Sequence, residues 1–191
     1  MSYINFTKTE LAAAIARGVC QCVVIASRPP WQEAFSTSSN PSLRLFAVDE
    51  DVVSNSSATF VPTRFADETL AAALKKSDFD RLKASLFVWL GGAGYRAVES
   101  VLSSLAFIAS LPKGSGVVFD YAAKHLSLGP LTDTALDALA SRMSLSGGNF
   151  KHIIQPPAVA AMLQGFGFRQ IEDLAEQEVP VSDGHLVSAV V

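Results

Sequence analysis

The sequence has few of the residues that mark metal and redox sites. Only two of its 191 residues are cysteines, Cys20 and Cys22, and only three are histidines. The histidines lie far apart, with no cysteine or carboxylate at ligand spacing beside them, so the pattern predicts no metal site. The two cysteines are expected to be free, buried thiols.

Charge is also sparse, and no stretch is strongly basic. Charged residues make up 17% of the chain, the net charge is −3, and the lysines and arginines are scattered. This excludes the basic patch that nucleic-acid binding requires. The segment 1–18 carries charges and has no long apolar run, which argues against a signal peptide or a membrane span. We therefore expect a cytoplasmic protein that binds neither nucleic acid nor membrane.

The sequence does contain a regular alternation of apolar, β-branched runs with helical patterns, and 49% of its residues are hydrophobic. Strands are predicted at 21–27, 43–48, 59–62, 85–89 and 116–121, and helices at 10–17, 68–76, 95–106, 134–143 and 156–165. Thr9 is predicted to cap the first of these helices and Gly18 to end it, and Asp67 is predicted to start the second. Segments 168–174 and 185–191 flank a turn and predict an antiparallel pair at one sheet edge. Together these predict a single α/β domain over residues 1–191, with a doubly wound, mostly parallel seven-stranded sheet.

Two features lie where such a fold binds ligands, at the carboxyl ends of its strands. The stretch 85–106 reads as a buried strand, a glycine-rich turn and an amphipathic helix, so its turn is a candidate floor for a site. The alternative is that these glycines serve only the turn geometry. An acidic cluster beginning at Asp49 follows the second strand, where a carboxylate binds a ribose diol. The alternative is that it caps the next helix.

Several segments follow one another in an order typical of a known family. They are GVCQCVVIASRPPWQEA at 18–34, FAVD at 46–49, FVPTRF at 60–65, FVWLGGAGYR at 87–96, FDY at 119–121, and GNF, a proline-led helix and GF between 148 and 168. In these segments the chain resembles the class I S-adenosylmethionine-dependent methyltransferases, and among them the leucine carboxyl methyltransferase-like branch. The resemblance implies a Rossmann-like methyltransferase fold, S-adenosylmethionine as cofactor, and methyl transfer to a carboxyl or hydroxyl oxygen of a small molecule.

The resemblance also implies which residues contact the cofactor, although it assigns no catalytic residue. Asp49 matches the family's ribose carboxylate, and the loop after the first strand matches its methionine-binding loop. The implied cofactor-binding positions are Ala26, Ser27, Arg28, Asp49, Arg64, Leu90 and Tyr95.

Some positions depart from the family pattern and support an alternative hypothesis. Residues 26–29 replace a glycine loop, and Arg64 and Leu90 replace acids of the third and fourth strands. The alternative is a non-catalytic relative that binds another ligand or a protein partner. The family's N-terminal helical segment is largely missing by this comparison, so a homodimer that covers the pocket is also expected. A nicotinamide oxidoreductase is disfavoured because residues 26–31 contain no glycine.

Overall fold

The computed structural model describes residues 3–25, 40–50, 58–90, 98–122, 156–174 and 184–191. Its helices are α1 (Tyr3–Ala16), α2 (Leu70–Lys75), α3 (Val98–Ala109) and α4 (Pro156–Phe166). Its strands are β1 (Gln21–Ile25), β2 (Arg44–Asp49), β3 (Ala58–Pro62), β4 (Ser85–Trp89), β5 (Gly116–Ala122), β6 (Gln170–Leu174) and β7 (Gly184–Val190). The expected helix at 134–143 lies outside these ranges.

The strands form one seven-stranded sheet in the order β3-β2-β1-β4-β5-β7-β6. Neighbouring strands from β3 to β5 are parallel, whereas β7 runs antiparallel to both β5 and β6. This confirms the predicted doubly wound fold and the antiparallel pair at one edge. The chain leaves β1 toward β2 and later returns to add β4 on its other side, so the strand order reverses between β1 and β4.

Apolar side chains cover both faces of the sheet, because every residue of β1 and β4 is buried. Alternate residues of a strand point to opposite faces. Val23 and Phe87 join the apolar cluster that includes residues of α2, α3 and α4, and Val24 and Val88 join the cluster that includes residues of α1. The absence of charge in β1 and β4 is therefore explained by their position, because both faces of these strands are covered.

The helix predicted at 10–17, with Thr9 as its cap, begins earlier in the structure than predicted. Helix α1 already starts at Tyr3, and Thr9 lies inside it, where its Oγ1 donates a hydrogen bond to the Asn5 carbonyl at 3.0 Å. This bond to the preceding turn is the usual arrangement of a threonine within a helix. The structure confirms the expected end of the helix, since Gly18 adopts a φ of +95° that favours glycine.

The second predicted helix, at 68–76, is shorter in the structure. Thr69 caps α2, and its side chain accepts a hydrogen bond from the Ala72 amide at 3.2 Å. The residues before it form a turn in which the Asp67 amide donates to the Arg64 carbonyl at 2.8 Å. The N-cap of this helix is therefore Thr69, and not the predicted Asp67.

The cysteines differ in their surroundings. Both are free, but Cys22 is fully buried whereas Cys20 is only partly buried, so the prediction of two buried thiols holds for Cys22 alone. Burial raises the pKa of the Cys22 thiol far above its ordinary value. None of the described helices is long and apolar enough to cross a membrane.

Candidate functional site

The carboxyl edge of the sheet is the candidate site, because the five parallel strands all end there. Strand β7 runs the other way, so it begins at this edge, and β6 ends at it. Ligands of doubly wound folds bind at this edge, next to the reversal of strand order. Within the described ranges, no group of histidine, cysteine, aspartate and glutamate side chains is arranged to hold a metal ion.

Asp49 is the last residue of β2 and lies beside the reversal point, since its neighbour Val48 pairs with Ile25 at the end of β1. Its side chain is half-buried, and its Oδ1 accepts a hydrogen bond from the Glu50 amide at 2.7 Å. The Asp49 carbonyl accepts another from the Thr63 amide at 2.9 Å, which ties β2 to the residue after β3. A carboxylate is thus held at the edge where a ribose ligand is predicted.

Arg64 follows β3 at the same edge but extends into solvent. Its side chain is 75% exposed, and its Nε lies 3.5 Å from an oxygen of Asp67, whose side chain is 65% exposed. Ion pairs between exposed groups contribute little stability, so this contact leaves the guanidinium only weakly fixed. The cofactor-binding role of Arg64 remains a prediction from the resemblance.

At the end of β4 the side chains are apolar on both faces. Leu90, at the position where the resemblance implies an acid, is half-buried and packs against the cluster on the α1 face. Trp89 lies on the opposite face, fully buried and stacked on Phe65 with ring centroids 6.1 Å apart. Its indole Nε1 is buried without a hydrogen-bond partner in the part of the chain that the structure describes.

The remaining predicted cofactor residues, Ala26, Ser27, Arg28 and Tyr95, lie outside the described residues, as do the glycines between 91 and 94. Their roles remain predictions from the resemblance.

The structure brings together three polar side chains that the sequence did not single out as a group, and we call them the Tyr–Asp–His cluster. Tyr121 of β5 donates its hydroxyl hydrogen bond to Asp173 Oδ2, and His185 Nδ1 of β7 lies 2.8 Å from Asp173 Oδ1. The rings of Tyr121 and His185 stack with centroids 5.2 Å apart and planes inclined at 25°. All three lie at the carboxyl edge of the sheet.

Strand register creates this cluster. Tyr121 and His185 face each other directly across the β5–β7 ladder, and Asp173 of β6 pairs with Val187, two residues along β7 from His185. Residues two apart on a strand share a face, which puts the carboxylate beside both rings. A tyrosine in an FDY segment and an isolated histidine carry no sequence signal of this proximity.

The hydrogen-bond roles within the cluster follow from its contacts. Burial, the hydrogen bond to Asp173 and the charge of that carboxylate all raise the pKa of Tyr121 far above its ordinary value, so the phenol stays protonated and donates. An ionised carboxylate only accepts hydrogen bonds, so His185 donates through Nδ1–H. In a neutral imidazole, this tautomer places the lone pair on Nε2. The His185 side chain is 12% exposed and that of Asp173 20%.

No protein-family model and no curated protein sequence matches the chain. Solved structures do match its fold. Human N-acetylserotonin methyltransferase in complex with SAM has a TM-score of 0.58 and 14% identity, over 98% of this chain and 51% of that one. The CurJ carbon methyltransferase has a TM-score of 0.61 and 14% identity, over 96% and 53% of the two chains. A DUF574 family protein from Streptomyces avermitilis has a TM-score of 0.57 and 14% identity, over 98% and 82%.

These matches establish what the chain shares with known proteins. At identities of 14% the likeness shows the fold alone, which is the Rossmann-like methyltransferase fold. The chain spans about half the length of the human enzyme and of CurJ.

Proposed function

We propose that this protein is an S-adenosylmethionine-dependent methyltransferase that transfers a methyl group to an oxygen atom of a small molecule. The observation that carries the proposal is the Asp49 carboxylate, which ends β2 beside the strand-order reversal of a methyltransferase-type sheet. The two oxygens of a carboxylate accept hydrogen bonds from a vicinal diol such as that of a ribose.

The described residues fit such a cofactor in part. Asp49 provides the ribose acceptor, and the cofactor, when bound, supplies an activated methyl group on a sulfonium. Leu90, which is half-buried, offers apolar surface in place of the family's acid at the end of β4. The loop positions 26–28 and Tyr95 complete the proposed binding set from the resemblance. Methyl transfer depends mainly on alignment of the reacting atoms, so this binding set matters more than any acid–base pair.

The test is a binding titration of the wild-type protein and two variants. We expect S-adenosylmethionine and its demethylated product to raise the melting temperature of the wild type, because a ligand of the folded state stabilises it by mass action. Asp49→Asn should weaken binding by about 5- to 150-fold, the equivalent of about 1–3 kcal/mol for a lost charged hydrogen-bond partner. Glu50→Gln, the neighbouring acid on the exposed side of the turn, is the matched control and should change the Kd by less than about threefold. A flat wild-type response up to millimolar ligand would remove the methyltransferase function.

The second candidate function is a non-catalytic relative that binds another ligand or a protein partner. It is favoured by Arg64 and Leu90, which are basic and apolar where the family carries acids. The titration separates the two candidates, because only the methyltransferase responds to the cofactor at concentrations up to millimolar.

Membership of the leucine carboxyl methyltransferase-like branch, a cytoplasmic location and a homodimer belong to the same proposal. The first is supported by the FVWLGG and FDY segments. The homodimer is tested by size-exclusion chromatography with light scattering, and a clean monomer at micromolar concentration would refute it.

A further inference from the structure

We propose that the Tyr–Asp–His cluster is the general-base site of this protein and that the methyl acceptor is therefore a hydroxyl group, not a carboxylate. The inference rests on the proposed methyltransferase function and names the substrate class of the same site. Within it, His185 is the catalytic base, and Asp173 and Tyr121 are positioning residues.

The position of the cluster supports this role. Strand β4 is next to β1, β5 is next to β4, and β7 follows β5. Neighbouring strands are about 4.8 Å apart, so along the edge where ligands bind the end of β5 lies about 10 Å from that of β1. The start of β7, which carries His185, lies one strand further, at about 14 Å. Asp49 lies on the other side of β1, at the end of β2. A cofactor whose ribose is bound at Asp49 thus leaves the β5 side of the edge for the acceptor.

The hydrogen bonds of the cluster prepare His185 to take up a proton. Asp173 fixes the Nδ1–H tautomer and the ring orientation, since Nδ1 lies 2.8 Å from Asp173 Oδ1. This leaves the basic lone pair on Nε2. The carboxylate also stabilises the imidazolium that forms when Nε2 takes up a proton. Tyr121 holds both partners, by donating to Asp173 and by stacking on the His185 ring.

The step balances as follows. Nε2 of His185 takes the proton of the acceptor hydroxyl while the hydroxyl oxygen forms its bond to the methyl carbon. The carbon–sulfur bond of the sulfonium breaks, and its electron pair remains on sulfur. The positive charge that sulfur loses is the charge that His185 gains, next to Asp173.

The cluster distinguishes between the two acceptor classes. A carboxylic acid, with a pKa near 4, is already ionised at neutral pH and requires no base. A phenol, with a pKa near 10, keeps its proton at neutral pH and reacts faster when a base removes it. A histidine that acts as a base at this edge therefore serves the second class.

The experiment combines three measurements on the full chain and its variants. Transfer of a labelled methyl group is measured to phenol and catechol and, in parallel, to benzoate and phenylacetate. Binding of S-adenosylmethionine is measured by calorimetry. The tautomer of His185 is read from the ¹⁵N chemical shifts of its two ring nitrogens, which does not depend on turnover.

We expect the wild type to methylate the phenols and to show the Nδ1–H tautomer. His185→Asn should lower kcat on phenols by about 10²- to 10⁴-fold and leave the cofactor Kd within about twofold. Asp173→Asn should lower kcat by at least about 10²-fold and shift the tautomer toward Nε2–H. Ser188→Ala is the control, because Ser188 lies on the same strand and bonds Glu10 of α1, outside the cluster, and it should leave kcat unchanged.

The outcomes separate the two proposals. A wild type that fails to bind the cofactor overturns the methyltransferase function, and the base assignment falls with it. A wild type that binds the cofactor but methylates only the carboxylates, or none of the four acceptors, overturns the base assignment alone. So does an Nε2–H tautomer in the wild type, or a His185→Asn variant with wild-type kcat on phenols.

Discussion

Strands β5 and β7 pair along their whole length, with Tyr121 opposite His185 near one end and Gly116 at the other. The close approach of the two strands at Gly116 leads to a prediction about stability. Gly116, the first residue of β5, pairs with Val190. A Cβ at position 116 would lie 2.7 Å from the carbonyl oxygen of Ala189, a backbone atom, whereas ordinary contact begins at 3.4 Å. We therefore predict that Gly116→Ala destabilises the protein, because the two strands must open by about 0.7 Å to accept one methyl group.

The expected magnitude follows from this displacement and from a matched substitution elsewhere. Overpacking of a closely packed site costs about 1–3 kcal/mol, which lowers the melting temperature of a chain of this size by about 2–12 °C. Gly165, on the exposed side of α4, has nothing within 4 Å of an added Cβ. Gly165→Ala should therefore stabilise the helix by about 0.5–1 kcal/mol and raise the melting temperature by about 1–4 °C.

The assay is urea and thermal unfolding of the wild type and both variants, followed by far-UV circular dichroism. The same glycine-to-alanine change should lower the free energy of unfolding at position 116 and raise it at position 165. Gly116 lies about 17 Å from Tyr121 along β5, so the ¹⁵N shifts of His185 should not change in Gly116→Ala. If Gly116→Ala is as stable as the wild type, the close β5–β7 approach at this end, and the reasoning built on it, is wrong.

Two further predictions concern individual side chains away from the site. Free energy of unfolding should fall by about 1–2 kcal/mol between pH 8 and pH 10, because burial raises the pKa of Cys22 and the unfolded chain then releases a proton that the folded chain keeps. This loss of stability should be smaller in Cys22→Ala. In the folded protein, iodoacetamide should label Cys20 before Cys22, because only Cys22 is fully buried. Equal labelling of the two cysteines would contradict the burial of Cys22. Thr69→Ala should destabilise by about 1 kcal/mol in urea unfolding, since it removes the cap that accepts from the Ala72 amide, and Thr69→Ser, which keeps the hydroxyl, should recover most of the loss.

The sequence predicts the sheet well where local pattern and tertiary role agree. The run at 85–89 is apolar, carries no charge and is followed by a glycine-rich turn, and β4 has those bounds. Helix starts are predicted less well, because several residues can cap and tertiary packing selects among them. Phe6 is buried in the core cluster on the α1 face, and its burial favours a helix that begins before the Thr9 signal.

The site is less predictable than the fold. Asp49 was expected because its position follows from the end of one strand, which is a local property of the sequence. The Tyr–Asp–His cluster depends instead on pairing among three strands, with Tyr121 and Asp173 separated by 52 positions. Register at that range is set by the antiparallel insertion of β7, which no spacing in the sequence encodes.

The place of β7 within the sheet has a consequence for how the protein is synthesised. Strand β7 spans Gly184–Val190, yet it lies between β5 and β6. Until residues 184–190 have left the ribosome, β5 has no neighbouring strand on the side away from β4 and exposes a row of unpaired backbone groups there. A nascent chain stalled before residue 184 should therefore bind chaperones or aggregate, and the domain closes its sheet only after translation passes that strand.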